Sequence, residues 1–555
     1  MSPTTAPAPG LPLPAQALAA AGPVDMVINT VDTVGTADIV DLDAEPERGD
    51  FAIPAEGLTD GERLRALDRM DGYLTRKRRH LVGYQATQEL AGSALDLARF
   101  MLSNINNLGD PFQSGGYKPN TKVVERAVLD YYARLWHAGP SYDPADPESY
   151  WGYMLSMGST EGNMYALWNA RDYLTRPGAP RPVAFYSEDT HYSFAKAVRV
   201  LGVDTFAAVG AADYPGECPL GGDWPAEVPS MPGPSGHSWD GSGAVDADAL
   251  AVLVEFFAAK GHPVFVNFNL GSTFKGAHDD VRGACERLLP VFERHGLLPR
   301  AGDDARRGFW IHVDGALGAG YAPFLRMAAA DPAFGWTPEA ELPEFDFGLT
   351  LPTRQAGEAD ETGESGEARE VDMVASIAMS GHKWAGVPWP CGVFMTKTKY
   401  QLEPPTQPEY IGAPDSTFAG SRNGFSPLVL WDHLSRLSYR DQVDRIRRSQ
   451  ELAGYLERRL RELEQETGAE LWPARTPGAI TVRFRKPSPA LVAKWSLSSE
   501  NVSTTPGDPA GLRGYVHVFL MPSVDRSKLD ALLADLARDP VILGGATRGR
   551  ALGVE

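Results

Sequence analysis

Short apolar runs alternate with amphipathic stretches through the middle of the chain. Strand-like runs fall at 151–157, 182–187, 263–267, 309–313 and 372–378. Helical stretches separate them at 191–201, 247–260 and 280–295, and a further helix places Met164, Leu167, Trp168 and Leu174 on one side. Upstream, 122–135 carries Val123, Val124, Ala127, Val128 and Tyr131 at i, i+3, i+4 spacing, which predicts a helix burying that face. This alternation predicts an α/β fold, a mostly parallel sheet with helices on both faces. Ligands in such sheets sit beyond the carboxyl ends of the strands. The residues following each strand are therefore where chemistry is sought.

The flanks differ. Residues 58–84 form a charged helix dense in Arg and Lys at 76–79, and 91–106 predicts a second helix stopped by Asn104, Asn106, Asn107 and Gly109. Beyond residue 428, one or two long helices (428–465), strands at 479–484 and 515–520 and an amphipathic helix at 526–537 predict a small α+β unit. Segments 214–243, 354–370 and 403–424 look like insertions, the second an acidic, Gly-rich surface loop. Residues 1–24, rich in Ala and Pro without Lys or Arg, predict a disordered tail and no signal peptide. The formal charge of −20 argues against a nucleic-acid surface or a basic membrane patch. Cys218, Cys285 and Cys391 are too far apart for a metal cluster or a disulfide framework, so a reducing cytoplasm is expected.

Four strand ends carry candidate chemistry. Lys383 follows the 371–378 run between His382 and Trp384; a lysine leaving a buried strand edge loses hydration, which favours the neutral, nucleophilic amine. The alternative is a surface lysine in a Gly/Pro-rich loop. Gly158-Ser159-Thr160-Glu161-Gly162-Asn163 stands between a strand and a helix, where free N–H groups and two hydroxyls suit a phosphate, or simply an ordinary cap. His191, in Ser187-Glu188-Asp189-Thr190-His191-Tyr192-Ser193, is either structural or a ring that packs on a planar ligand. Asp314 ends Trp310-Ile311-His312-Val313-Asp314-Gly315-Ala316. It is either a helix cap or a carboxylate whose burial calls for a cation, such as a protonated ring nitrogen with Ala316 leaving room for the ring. Together, a nucleophilic lysine, a phosphate cradle, an acid for a ring nitrogen and a stacking imidazole are the set pyridoxal 5′-phosphate needs. No Rossmann fingerprint, P-loop or HExxH motif competes.

These motifs, with Ser380-Gly381-His382-Lys383, Pro388-Trp389-Pro390-Cys391-Gly392 and Gly420-Ser421-Arg422-Asn423-Gly424, resemble the group II pyridoxal-phosphate-dependent amino acid decarboxylases, most closely the histidine/serine branch. The likeness runs from about 104 to 536. It implies fold type I and four segments: a 1–24 tail, a 25–119 helical arm used in dimerisation, a 120–428 cofactor domain and a 429–555 α+β domain. It implies that Lys383 carries the cofactor, His191 stacks over the ring, Asp314 partners the pyridine nitrogen and Ala316 packs on the other face. Ser159, Thr160, Ser380 and His382 match positions near the phosphate, and residues 269–273 match a turn near the cofactor. The Pro-rich 403–419 segment falls where the family has a mobile loop reaching the neighbouring subunit's site, which makes Tyr410 its proton-donating tyrosine. A homodimer with interface sites acting on a small L-amino acid, without metal, nucleic acid or membrane, is the implied assembly.

Substrate choice rests on departures from that pattern. Phe425 stands where histidine-type members commonly have a polar histidine, and Phe112 adds an aromatic near the presumed entrance. Losing a polar group disfavours a hydrogen-bonded side chain, so valine or leucine is the expected substrate. The alternatives are histidine or serine decarboxylation, a decarboxylative oxidase releasing aldehyde and, with all cofactor positions present the least favoured, an interaction protein on a decayed fold.

Overall fold

A computed structural model describes residues 45–87, 94–299, 306–353, 369–401, 408–504 and 511–544. The predicted tail, nearly all of the acidic 354–370 segment and part of the 403–424 loop lie outside the described residues. Two compact units divide the chain, Met1–Arg79 with Leu95–Leu102 and His80–Ala94 with Ser103–Glu555. The helix Asp60–His80 dominates the described part of the first and buries none of its side chains. Arg69–Asp50 and Lys77–Glu45 ion pairs, both at 3.0 Å, tie it to the preceding segment. The basic run lies on the outside of this chain, as expected of a solvated helix face or a subunit contact.

The second unit holds twelve described strands: β1 (Tyr150–Leu155), β2 (Val183–Phe185), β3 (Asp204–Thr205), β4 (Val264–Asn269), β5 (Phe309–Asp314), β6 (Thr350–Pro352), β7 (Glu370–Asp372), β8 (Val374–Ser380), β9 (Gly392–Lys397), β10 (Thr481–Arg485), β11 (Ser498–Ser503) and β12 (Leu512–Phe519). Seven form the main sheet in the order β1-β9-β8-β5-β4-β2-β3. All run parallel except β9, which is antiparallel to both neighbours. The continuous apolar runs become strands whose side chains are buried along their length, as a sheet covered on both faces requires. Register sets Asn269 beside Asp314, Asp314 beside Ala378 and Ser380 beside Gly392. Three polar strand ends and the start of the reversed strand thus share one rim.

The helix Lys122–Leu135 has the predicted bounds but not the predicted face. Val123 is 67% exposed, while Glu125, Val128, Leu129 and Tyr132 are buried. The reason is a buried ion pair. The Glu125 carboxylate accepts from Arg422, from the Met154 N–H at 2.9 Å and from Asn107 Nδ2 at 2.7 Å. The predicted asparagine stop and the Ser-Arg-Asn-Gly motif are joined here, since Arg422 N–H donates to Asn106 Oδ1 at 3.0 Å and Thr121 Oγ to the Gly424 carbonyl at 2.6 Å. Removing one partner strands the other charge in the interior, which costs about 3–5 kcal/mol. Arg422→Met is expected to destabilise by that amount in denaturant titration; a change below about 1 kcal/mol would reassign the pair as energetically neutral.

The C-terminal part is a three-stranded antiparallel sheet, β10-β12-β11, with the long helix Tyr439–Thr467 and the helix Arg526–Leu536. No helix among the described residues is long and apolar enough to cross a membrane.

Candidate active site

A cavity of about 180 Å³ opens at the shared rim of the main sheet. Ser159, His191, Asp314, Ser380, His382 and Lys383 line it together with Thr160 and Ala316. Eight residues singled out in the sequence, from four separate segments, converge on one space.

Its floor is the start of the helix Ser159–Leu174, whose N-cap residue, Gly158, has no side chain to cap it. Gly158 precedes it at φ +70°, and a Cβ there would lie 2.5 Å from His382 Cε1. Only glycine accepts both that conformation and that approach. Ser380 Oγ accepts from Ser159 N–H and donates to Ser159 Oγ, both at 3.0 Å, fastening the end of β8 to the helix. The result is a concave, positively polarised helix end with hydroxyls around it.

Asp314 closes β5. Its Oδ2 accepts from Asn163 Nδ2 at 2.7 Å and its Oδ1 from the Ala316 N–H at 3.1 Å. Lys383 follows β8 in a loop whose ends are held by β8 and β9. Burial lowers its pKa from 10.5 to about 8, with Asp314 pulling the other way. His191 stands two residues before its helix, Ser193–Leu201, and Ser193 Oγ bonds its Nδ1 at 2.7 Å. Burial, opposed by Asp314, pushes the His191 pKa down, which favours the neutral ring; the Ser193 N–H donates to Nδ1 at 3.3 Å, which leaves the ring proton on Nε2. Burial likewise lowers His382.

The chain is 73% identical to L-methionine decarboxylase from Streptomyces sp. 590, a solved structure matched with TM-score 0.86 over 91% of this chain and 100% of that one. The chain belongs to the group II pyridoxal-phosphate-dependent amino acid decarboxylases. More distant relatives include histidine decarboxylase of Mesorhizobium japonicum (28% identical, covering 80% of this chain and 89% of that one) and serine decarboxylase 1 of Oryza sativa subsp. japonica (27%, 83% and 73%). No family model matches the sequence. The decarboxylase is a carboxy-lyase of fold type I with pyridoxal phosphate as cofactor. Its cavity fits that group. The Gly158 cradle is shaped by a position where a Cβ would collide, a buried carboxylate faces the interior, and a lysine of depressed pKa lines the same space.

Three residues read from the sequence lie elsewhere. Tyr410 is 88% exposed and does not line the cavity of its own chain. Phe112 stacks on Tyr142 with centroids 3.9 Å apart, edge-on to Tyr150 at the far end of β1. Its neighbour Asp110 turns it there by accepting the Phe112 N–H at 2.7 Å. Phe425 begins the helix Phe425–Ser435 and stacks on Trp389, one residue from Pro390 in the cavity lining. Conversely, the decarboxylase lines its cavity with Asn163, to which the sequence reading gave no role. Its spacing of four from Ser159 places it on the same helix face, which was the available signal.

Lys383 also predicts a pH effect in protein stripped of cofactor. Its folded pKa of about 8 lies below the ordinary 10.5, so the unfolded chain binds more protons between those values. The cost to stability is full below about pH 8 and is relieved as pH rises toward 10.5. Lys383→Met is therefore expected to raise the melting temperature of the apoprotein near pH 7, with the gain fading above pH 8. A gain that does not change with pH would contradict the depressed pKa.

Proposed function

We propose that this decarboxylase acts on L-methionine or a similarly unbranched apolar L-amino acid, releasing CO2 and the corresponding amine. The observation that carries this reading is the 73% identity, along nearly the whole chain, to an L-methionine decarboxylase solved with L-methionine methyl ester. Valine and leucine belong to the same apolar class, but their branching near Cα or Cγ makes them the less favoured members. One methylene more or less in an apolar pocket changes kcat/KM about 10–200-fold.

Lys383 would hold the cofactor, its lowered pKa keeping a fraction of the amine neutral and nucleophilic. Ser159, Thr160, Ser380 and His382 would hold the phosphate with the start of the helix Ser159–Leu174. Asp314 would hold a proton on the pyridine nitrogen, with Ala316 leaving room for the ring and His191 packing on it. When bound, pyridoxal phosphate supplies an electron sink for the pair released from the Cα–carboxylate bond. The protein's part is to orient that bond and keep water out. Lys383 would return a proton to Cα, or Tyr410 would do so in the site of a second copy, within the homodimer that the family resemblance implies.

A panel of L-amino acids assayed for CO2, amine and hydrogen peroxide tests the reading. Methionine is expected at the top, valine and leucine about tenfold or more below, without peroxide. Rapid histidine or serine turnover with no apolar activity defeats the substrate assignment, and stoichiometric peroxide defeats the lyase assignment in favour of an oxidase.

A further inference from the structure

Behind Asp314 runs a line of buried polar side chains that the chemistry above does not use. Trp310 Nε1–H donates to Ser376 Oγ at 3.0 Å, and an indole nitrogen can only donate. Ser376 Oγ keeps its own proton free to donate to His312 Nδ1 at 2.9 Å. The rest of the line selects that direction: an ionised Asp314 takes the Asn163 Nδ2–H, so Asn163 Oδ1 faces His312 and calls for the proton on its Nε2. The His312 proton then sits on Nε2, 3.0 Å from Asn163 Oδ1. With its oxygen so engaged, Asn163 turns its Nδ2–H to Asp314 Oδ2 at 2.7 Å. Trp310, His312 and Ser376 have no exposed surface and Asn163 almost none, so water does not compete for these bonds.

The line has a direction. Reversing it makes His312 Nδ1–H the donor, to Ser376 Oγ at 2.9 Å or the Ser376 carbonyl at 3.2 Å, and turns Asn163 Oδ1 against the carboxylate. That arrangement suits only a protonated Asp314. The forward arrangement suits an ionised one, because a hydrogen bond to the charged form favours it. Burial also lowers the His312 pKa to about 4, consistent with a neutral ring that donates from one nitrogen and accepts at the other. The other titratable groups that face Asp314 are His191 and Lys383, across the cavity.

We infer that His312, Ser376 and Asn163 are positioning residues that hold Asp314 ionised and aimed at the cofactor ring nitrogen, His312 acting by fixing which way the Asn163 amide points. This rests on the reading of Asp314 as the partner of that nitrogen. His312→Phe fills the space without a donor. His312→Gln keeps an N–H near the Nε2 position.

The test uses holoenzyme reconstituted with pyridoxal phosphate carrying ¹⁵N in the ring, whose nitrogen shift reports whether the ring nitrogen is protonated. Wild type and His312→Gln are expected to show a protonated ring nitrogen. His312→Phe is expected to lose that signal in most molecules, with kcat about tenfold lower or more and KM little changed. A protonated nitrogen and unchanged kcat in His312→Phe overturn the inference, as does an equal loss in His312→Gln, the mark of a role in packing alone. An unprotonated nitrogen in wild type overturns the underlying assignment of Asp314 itself. Should His312→Phe fail to fold, Asn163→Ala, which removes the donor to Asp314 directly, is read against the same two spectral outcomes.

Discussion

Lys383→Ala is expected to abolish turnover, with kcat lowered about 10⁴-fold or more. The other buried lysines among the described residues are engaged: Lys275 with Asp189 at 3.1 Å, Lys122 with the Asp110 carbonyl at 2.7 Å, and Lys397 with Asp372 and Glu148, both at 2.9 Å. Lys383, in contrast, lines the cavity with its pKa depressed by burial. Borohydride reduction of the wild-type holoenzyme followed by peptide mass analysis should place the cofactor on the peptide containing residue 383 and nowhere else. Label on Lys275 or Lys122, or substantial activity in the alanine variant, would sink the assignment.

The second large effect belongs to Asp314. Asp314→Asn keeps the size and one acceptor oxygen but removes the charge proposed to sustain a proton on the ring nitrogen. Loss of a preorganised charge at a developing transition state costs about 10²–10³ in kcat. The effect should fall on kcat with KM nearly unchanged, because the substrate itself does not contact this carboxylate. Steady-state kinetics decide it, and a variant with wild-type kcat would show that the ring needs no such partner here.

The sheet was legible because β4, β5 and β8 are apolar runs too short for helices and bounded by Gly, Pro and polar residues. Their ends were legible for the same reason, since a Lys, an Asp or a Ser-Thr pair after such a run has few structural roles that tolerate burial. What sequence pattern missed is instructive. β11 is exposed and polar, Ser-Ser-Glu-Asn-Val-Ser, and pairs only with β12, so no hydrophobic alternation marks it. The helix Lys122–Leu135 was found but its buried face was not, because periodicity counts Val123 as core and Glu125 as surface, whereas the ion pair with Arg422 inverts them. The surroundings of Phe112 were not legible for a similar reason, since its stacking partner Tyr142 is distant in sequence. Asn163 escaped notice because an amide one turn into a helix carries no signature of its own; its meaning comes from His312 on one side and Asp314 on the other.

β9 runs against every other strand of the main sheet. Gly381 N–H donates to the Cys391 carbonyl at 2.8 Å and Ser380 pairs with Gly392, so the peptide bearing Lys383 is a closed hairpin whose two stems are core strands. The lysine backbone therefore cannot travel. When the amine lets go of one partner and later takes it back, the whole excursion is a swing of four methylenes about a fixed pivot, and the length of that arm, not any backbone movement, sets how far the amine can retreat.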